Sequence, residues 1–214
     1  MNYTFPKIYP ILDASNIPIG DRANFLRDLG WSLGDAGVTL LEYRNKSGSD
    51  MELLADAGAL RAAMPAGQIK LILDDRADLV EATGFDGVHV DAGDISPDEA
   101  RRLLGPDRIV GTYGGTESLL PGILNAPVDY FSIGPIGSTT TKETVKAPIG
   151  PEGVRRLRAE AGPRPVLVAA GGVTLEIAPA VVAAGASIVA VSAAIFRARD
   201  PAGEFRRWQA ALGA

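Results

Sequence analysis

The run Gly134-Pro135-Ile136-Gly137-Ser138-Thr139-Thr140-Thr141-Lys142 concentrates hydroxyls, a cation and flexible backbone in one short stretch. It follows the apolar run Val128 to Ile133, which reads as a strand, so the loop opens at a strand's C-terminal end. Glycines let backbone N–H groups approach an anion, hydroxyls donate to it and Lys142 supplies charge. By composition alone the run equally fits an ordinary polar turn.

Other groups with chemical capacity are spaced along the chain. Glu42, Arg44 and Lys46 alternate, as a solvated charge ladder on a strand would, yet two cations on one face also suit a diphosphate. Asp74-Asp75 precede a helical pattern starting at Arg76 and fit either a capping turn or a metal site. Asp94, a carboxylate from the next loop, favours Mg²⁺, which takes one or two carboxylates plus substrate phosphate oxygens. His89 lies in the run Gly87-Val88-His89-Val90 and reads as a structural, hydrogen-bonded histidine. Gly171-Gly172 and Val191-Ser192 each precede a helical segment and offer backbone N–H groups to a phosphate, or else form tight turns.

Composition limits the chemistry further. With 214 residues, 46% apolar and 22% charged, the chain supports one well-buried core, read as a single domain over 1–214. A net charge of -5 with no basic stripe argues against a nucleic-acid surface, while a local basic pocket could still hold phosphate. There is no cysteine, which excludes disulfides, thiolate nucleophiles and Cys-ligated metals. One histidine rules out His-pair zinc sites. The N-terminus shows no basic segment followed by an apolar core and no cleavage pattern, so the protein is expected to be cytoplasmic. The most apolar stretch, Ile177 to Ile195, is broken by Pro179 and Gly185, and no membrane span is expected.

The elements that must position these groups alternate regularly. Strands are expected at Ile8 to Leu12, Val38 to Tyr43, Ile69 to Leu73, Gly87 to Val90, Arg108 to Gly111, Val128 to Ile133, Val166 to Ala170 and Ser187 to Val191. Between them the pattern predicts helices over Asp21 to Ala36, Ser49 to Met64, Arg76 to Thr83, Pro97 to Leu104, Thr116 to Leu124, Pro151 to Ala161, Leu175 to Ala184 and Pro201 to Leu212. Ser49, Ser96 and Thr174 stand at N-cap positions, and Gly37, Gly84, Gly105 and Gly185 just past helix ends. An eightfold strand-helix alternation at this length predicts an α/β fold, a single-domain (β/α)8 TIM barrel. Function should then sit at the C-terminal ends of the strands, where Glu42, Arg44, Lys46, Asp74, Asp75, Asp94, Tyr113, Gly172 and Ser192 all fall.

Taken in order, these segments resemble the thiamine-phosphate synthase family, also called thiamine-phosphate pyrophosphorylase. The carriers are Leu41-Glu42-Tyr43-Arg44-Asn45-Lys46, Leu73-Asp74-Asp75-Arg76, Asp86-Gly87-Val88-His89-Val90 with Asp94, Asp129-Tyr130 with Gly134-Pro135, Thr139-Thr140-Thr141-Lys142, Ala170-Gly171-Gly172-Val173 and Val191-Ser192. The resemblance implies condensation of 4-amino-2-methyl-5-hydroxymethylpyrimidine diphosphate with a thiazole phosphate, giving thiamine phosphate and pyrophosphate. It also implies that Arg44, Lys46 and Lys142 hold the diphosphate, that Asp75 and Asp94 hold Mg²⁺, and that Thr139, Thr141, Gly172, Val191 and Ser192 meet the thiazole phosphate. The family pattern has Gln where this chain has Glu42, Asn where it has Asp74, and Gly-x-Ser where it has Gly111-Thr112-Tyr113, all at the pyrimidine site. A related thiazole tautomerase, or a non-catalytic phosphate-ligand-binding relative, would share the barrel, and a homo-oligomer stays open.

Overall fold

In the computed structural model, which describes residues 3–138 and 146–214, the apolar runs form parallel strands. These are β1 (Ile8–Asp13), β2 (Leu40–Arg44), β3 (Lys70–Asp74), β4 (Gly87–Val90), β5 (Ile109–Gly115), β6 (Tyr130–Ile133), β7 (Val166–Ala169) and β8 (Ile188–Val191). They pair in sequence order and β8 returns to β1, closing the barrel expected from the alternation. Around it run α1 (Arg22–Asp35), α2 (Asp50–Ala63), α3 (Val80–Thr83), α4 (Pro97–Leu104), α5 (Gly150–Ala161), α6 (Ala178–Ala183), α7 (Ala193–Phe196) and α8 (Pro201–Leu212). Among the described residues no helix is long and apolar enough to cross a membrane.

Strand periodicity sorts the side chains into two cores. Leu41, Leu71, Val88, Val110, Phe131, Leu167 and Val189 point outward and pack with the helices. Tyr9, Leu40, Ile72, Ile109, Tyr130, Val168 and Ile188 point inward and form a second cluster filling the barrel. Tyr130 reaches across that interior because Gly111 on the neighbouring strand has no side chain; a Cβ there would lie 2.0 Å from the tyrosine ring. Residues sharing this inward parity toward the strand ends, Glu42, Asp74, His89 and Tyr113, therefore face the barrel mouth.

Caps follow the sequence in part. The Ser49 and Ser96 side chains accept from the backbone N–H groups of Glu52 and Glu99, and Gly84, at φ 66°, ends α3. Thr174 is not the cap of α6, which begins only at Ala178, and the Arg76 to Thr83 region divides into a 3₁₀ turn, Ala77–Leu79, and α3.

The helix expected over Thr116 to Leu124 does not form. β5 continues to Gly115, which bridges back to Leu119, and only a 3₁₀ turn at Ile123–Asn125 follows. The burial of Leu119 and Ile123, four residues apart, imitates a helical face. Pro121 lacks an amide hydrogen and Gly122 takes φ 79°, so a continuous helix cannot pass through this pair.

At the N-terminal ends of the strands one arrangement recurs on alternate units. The side chains of Asp86, Asp129 and Ser187, each just before an even-numbered strand, accept from the backbone N–H of Leu71, Val110 and Leu167. An arginine from the helix before the odd-numbered strand of each pair then clamps each: Arg61 onto Asp86, Arg101 onto Asp129 at 2.7 Å and Arg158 onto Ser187 at 3.0 Å. The same guanidinium groups cap loop carbonyls, Met64 for Arg61, Gly105 for Arg101 and Gly162 for Arg158. Lys7 donates to the carbonyls of Leu212 and Gly213 at 2.9 and 3.0 Å, tying the two ends of the barrel's chain together on this face.

Candidate active site

At the opposite face, the ends of β1, β2 and β3 bring cations and carboxylates into one cluster. Arg44 pairs with Asp13, and its Nε lies 3.3 Å from Asp74 Oδ2. Lys46 Nζ lies 3.1 Å from the same oxygen and also pairs with Asp75. Asp75 is the only described non-glycine residue with positive φ, at 65°, and its backbone N–H donates to the His89 carbonyl at 2.8 Å. This left-handed turn, which Asp tolerates better than branched residues, joins the β3 loop to the end of β4. From the next loop Asp94 Oδ2 accepts the Asp91 backbone N–H at 2.7 Å.

A cavity of about 950 Å³ opens beside this cluster. Of the residues singled out from sequence, Glu42, Arg44, Asp74, Tyr113, Gly172, Val191 and Ser192 line it. Lys46 and Asp75 join it through their contacts with Asp74 and with each other. Thr139, Thr141 and Lys142 lie outside the described residues. Gly172, at φ 68°, brings the loop after β7 against the loop after β6, and a Cβ there would sit 2.4 Å from Gly137 and Ser138 backbone atoms. The Ser192 hydroxyl is buried in this wall with no hydrogen-bond partner among the described residues. Tyr113 donates to or accepts from Thr116, and Lys146 lies over its ring, 4.4 Å from the centroid, with Nζ 2.8 Å from the hydroxyl.

Below the cluster a buried polar chain crosses the barrel. The Tyr9 hydroxyl donates to Glu42 Oε2 at 2.8 Å and lies 3.0 Å from the Tyr130 hydroxyl, which is 3.1 Å from His89 Nδ1. The His89 and Tyr130 rings stack at 5.6 Å, and His89 Nε2 lies 3.7 Å from Asp91 Oδ1. His89 is thus hydrogen-bonded, as its apolar run implies, but it also lines the cavity. Tyr9, Asp13, Tyr130 and Lys146 were not visible as site residues in the sequence. The signal that finds the first three is parity, since each shares the inward phase of its strand.

Burial and crowding set the protonation of these groups. Desolvation, reinforced by the Asp74 charge, raises the Glu42 carboxyl to about 7. Desolvation and the neighbouring Asp75 raise Asp74 as well. Burial opposes the charged form of His89, but the nearby Asp91 carboxylate and the charges of Glu42 and Asp74 outweigh it and lift the imidazole to about 9. Burial likewise opposes ionisation of Asp13, yet its bonds from Ser15 and Arg44 hold it below the ordinary carboxylate range. Lys46, partly desolvated, is raised by Asp74 and Asp75. Asp94 is raised by desolvation and by its proximity to Asp75.

Residues 8–195 match the family model described as thiamine monophosphate synthase. A thiamine-phosphate synthase of Koribacter versatilis is 42% identical over 188 residues, covering 88% of this chain and 88% of that protein. One from Agrobacterium fabrum is 35% identical over 217 residues, covering 100% of this chain and 97% of its own. In fold, a solved thiamine phosphate pyrophosphorylase from Pyrococcus furiosus superposes with a TM-score of 0.76 at 23% identity, over 97% of this chain and 95% of that one. With a match that runs from β1 into α7, and relatives aligned over nearly their whole length, the chain belongs to the thiamine monophosphate synthase family.

Proposed function

We propose that this chain condenses 4-amino-2-methyl-5-hydroxymethylpyrimidine diphosphate with a thiazole phosphate, forming thiamine phosphate and releasing pyrophosphate. The bond between the pyrimidine methylene carbon and the diphosphate oxygen breaks, the pair leaves with pyrophosphate, and the thiazole nitrogen bonds to the methylene carbon. The observation that supports this reading is the convergence of Arg44 and Lys46 on Asp74 and Asp75 beside a large cavity. Two cations held on one barrel edge suit a diphosphate, and their charge stabilises it most as it departs. No protein nucleophile is needed, in keeping with a chain that has no cysteine.

Asp75 and Asp94 fit a Mg²⁺ ion. Asp75 Oδ1 is buried with no hydrogen-bond partner among the described residues, and both groups offer hard oxygen donors. Among the described residues no cluster of three or more His, Asp or Glu surrounds one point, so phosphate oxygens and water would complete the shell. When bound, the ion would offset charge on the departing pyrophosphate. We assign Lys142 to the same diphosphate, and Thr139, Thr141, Gly172, Val191 and Ser192 to the thiazole phosphate, for which the orphaned Ser192 hydroxyl would supply a donor. Glu42, Asp74 and Tyr113 contact the pyrimidine. Proton transfer on a thiazole alone would not call for Arg44, Lys46, Asp75 and Asp94 together, so the tautomerase reading is not favoured. We place the enzyme in the cytoplasm, because both substrates carry charged phosphates that a bilayer excludes. The test is incubation of the folded protein with both substrates and Mg²⁺, scored by pyrophosphate release; no release above a substrate-only control rejects the synthase reading.

A further inference from the structure

Hydroxyl groups have one proton each, so the chain beneath the cavity runs in one sense throughout, and the charged His89 ring, which has no acceptor nitrogen, sets that sense by donating to Tyr130. The Tyr9 proton goes to Glu42 Oε2, so Tyr9 accepts from Tyr130, and Tyr130 accepts from His89 Nδ1. Both tyrosines are buried, with their rings edge-to-face at 5.8 Å, so neither hydroxyl can turn to another partner without leaving the interior. Glu42 Oε2 is therefore committed as an acceptor. Its other oxygen has no hydrogen bond among the described residues, and the side chain lines the cavity. Any proton on this carboxyl sits on Oε1.

The groups that face Glu42 come from several strands: Tyr9 on β1, Asp74 on β3, His89 on β4 with Asp91 just after it and, through Tyr9, Tyr130 on β6. The Asp74 and Asp91 charges favour a protonated Glu42 and the His89 charge opposes it; burial adds to the former.

Building on the synthase reading, we propose that Tyr9, held by Tyr130, is a positioning residue that turns the protonated oxygen of Glu42 toward the cavity, so that Glu42 presents a donor beside the acceptor Asp74 and selects a 4-aminopyrimidine over a 4-oxopyrimidine. A 4-aminopyrimidine has a bare ring nitrogen next to an amino group, which is the complement of donor beside acceptor. The 4-oxo ring carries hydrogen on that nitrogen and a carbonyl beside it, and meets like groups on both sides.

The test compares the aminopyrimidine diphosphate with its 4-oxo counterpart, by kcat/KM and by calorimetric Kd, in the native protein, Tyr9→Phe, Tyr130→Phe and Glu42→Gln. A site that hydrogen-bonds both groups should favour the amino ring by about a hundredfold or more, the scale of two buried partners left unpaired. Tyr9→Phe should narrow that ratio to about tenfold or less and move the alkaline limb of kcat/KM to higher pH, because a donor to the ionised carboxylate is lost. Tyr130→Phe, which keeps the Tyr9 bond, should narrow the ratio less, and it serves if Tyr9→Phe does not fold. Glu42→Gln should keep the preference and remove the limb. A ratio within twofold of native in Tyr9→Phe, or in Tyr130→Phe where only that variant folds, overturns the positioning role even if the native protein turns over. A native protein that binds the amino ring with Tyr9-dependent selectivity but releases no pyrophosphate overturns the synthase reading alone. No binding of either ring overturns both.

Discussion

The Lys46 ammonium and the Asp75 carboxylate pair with each other at the barrel mouth, although each is assigned a different ligand. On the proposed assignments, diphosphate would draw Lys46 away from Asp75, and Mg²⁺ would draw Asp75 away from Lys46. Each ligand would then free the partner that the other requires, and such coupling is reciprocal.

The first prediction follows from that exchange. Lys46→Met should tighten Mg²⁺ binding measured without diphosphate by about threefold, the scale of a partly exposed ion pair, while weakening diphosphate binding. Titration calorimetry with each ligand separately checks this. A Mg²⁺ affinity that falls in Lys46→Met would reverse the assignment.

Asp94→Ala and Asp75→Asn should each lower kcat on the order of a hundredfold, the range seen when charge stabilisation of a transition state is removed. The choice of Asn at position 75 matters. At φ 65° it is tolerated, whereas Ala should cost about 1 kcal/mol of stability in addition to activity. Paired melting curves and rates separate the two effects, and full turnover in excess chelator would discard the metal assignment.

Stability should fall as pH rises across the neutral range. Glu42 is raised from 4.5 to about 7, so between those values the folded state holds a proton that the unfolded chain has released, and stability declines with pH. His89 is raised from 6.5 to about 9, so the stability its charge provides is complete below 6.5 and is lost as pH climbs through 9. Both slopes have the same sign. Glu42→Gln should remove the lower one, worth roughly 3 kcal/mol, and shrink the upper one, because the Glu42 charge is among those that raise His89. Thermal melts in chelator from pH 5 to 9 check this; parallel curves for native and variant would contradict it.

The arginine clamps predict the opposite phenotype. Asp129→Ala removes the partner of Arg101 and the acceptor of the Val110 N–H, and should destabilise by about 2 kcal/mol. The site lies at the other strand ends, so KM for both substrates should stay within twofold. A variant that folds normally but loses substrate affinity would show that the two faces are coupled.

The barrel was readable because strand and helix spacing are local and repeat eight times. Arg44, Lys46, Asp74 and Asp75 were readable because a parallel barrel gathers strand ends at one mouth. Helix existence failed at Thr116 to Leu124, where buried Leu119 and Ile123 mimic a helical period and the break lies in Pro121-Gly122. The pairing of Asp13 with Arg44, and the Tyr9 to His89 chain, join residues 31 and up to 121 positions apart, which spacing along a sequence does not encode. Phase did encode them, since all of these side chains lie on the inward face.

Lys7, bonded to the carbonyls of Leu212 and Gly213, has a consequence for engineering. The first strand and the last helix meet on the face away from the chemistry, so a short linker can join them without crossing the cavity mouth. A circular permutant opened in the α4–β5 loop, near Pro106, would then keep every residue of the site in its native order around the barrel. Its new ends would lie among the clamps rather than among the ligands.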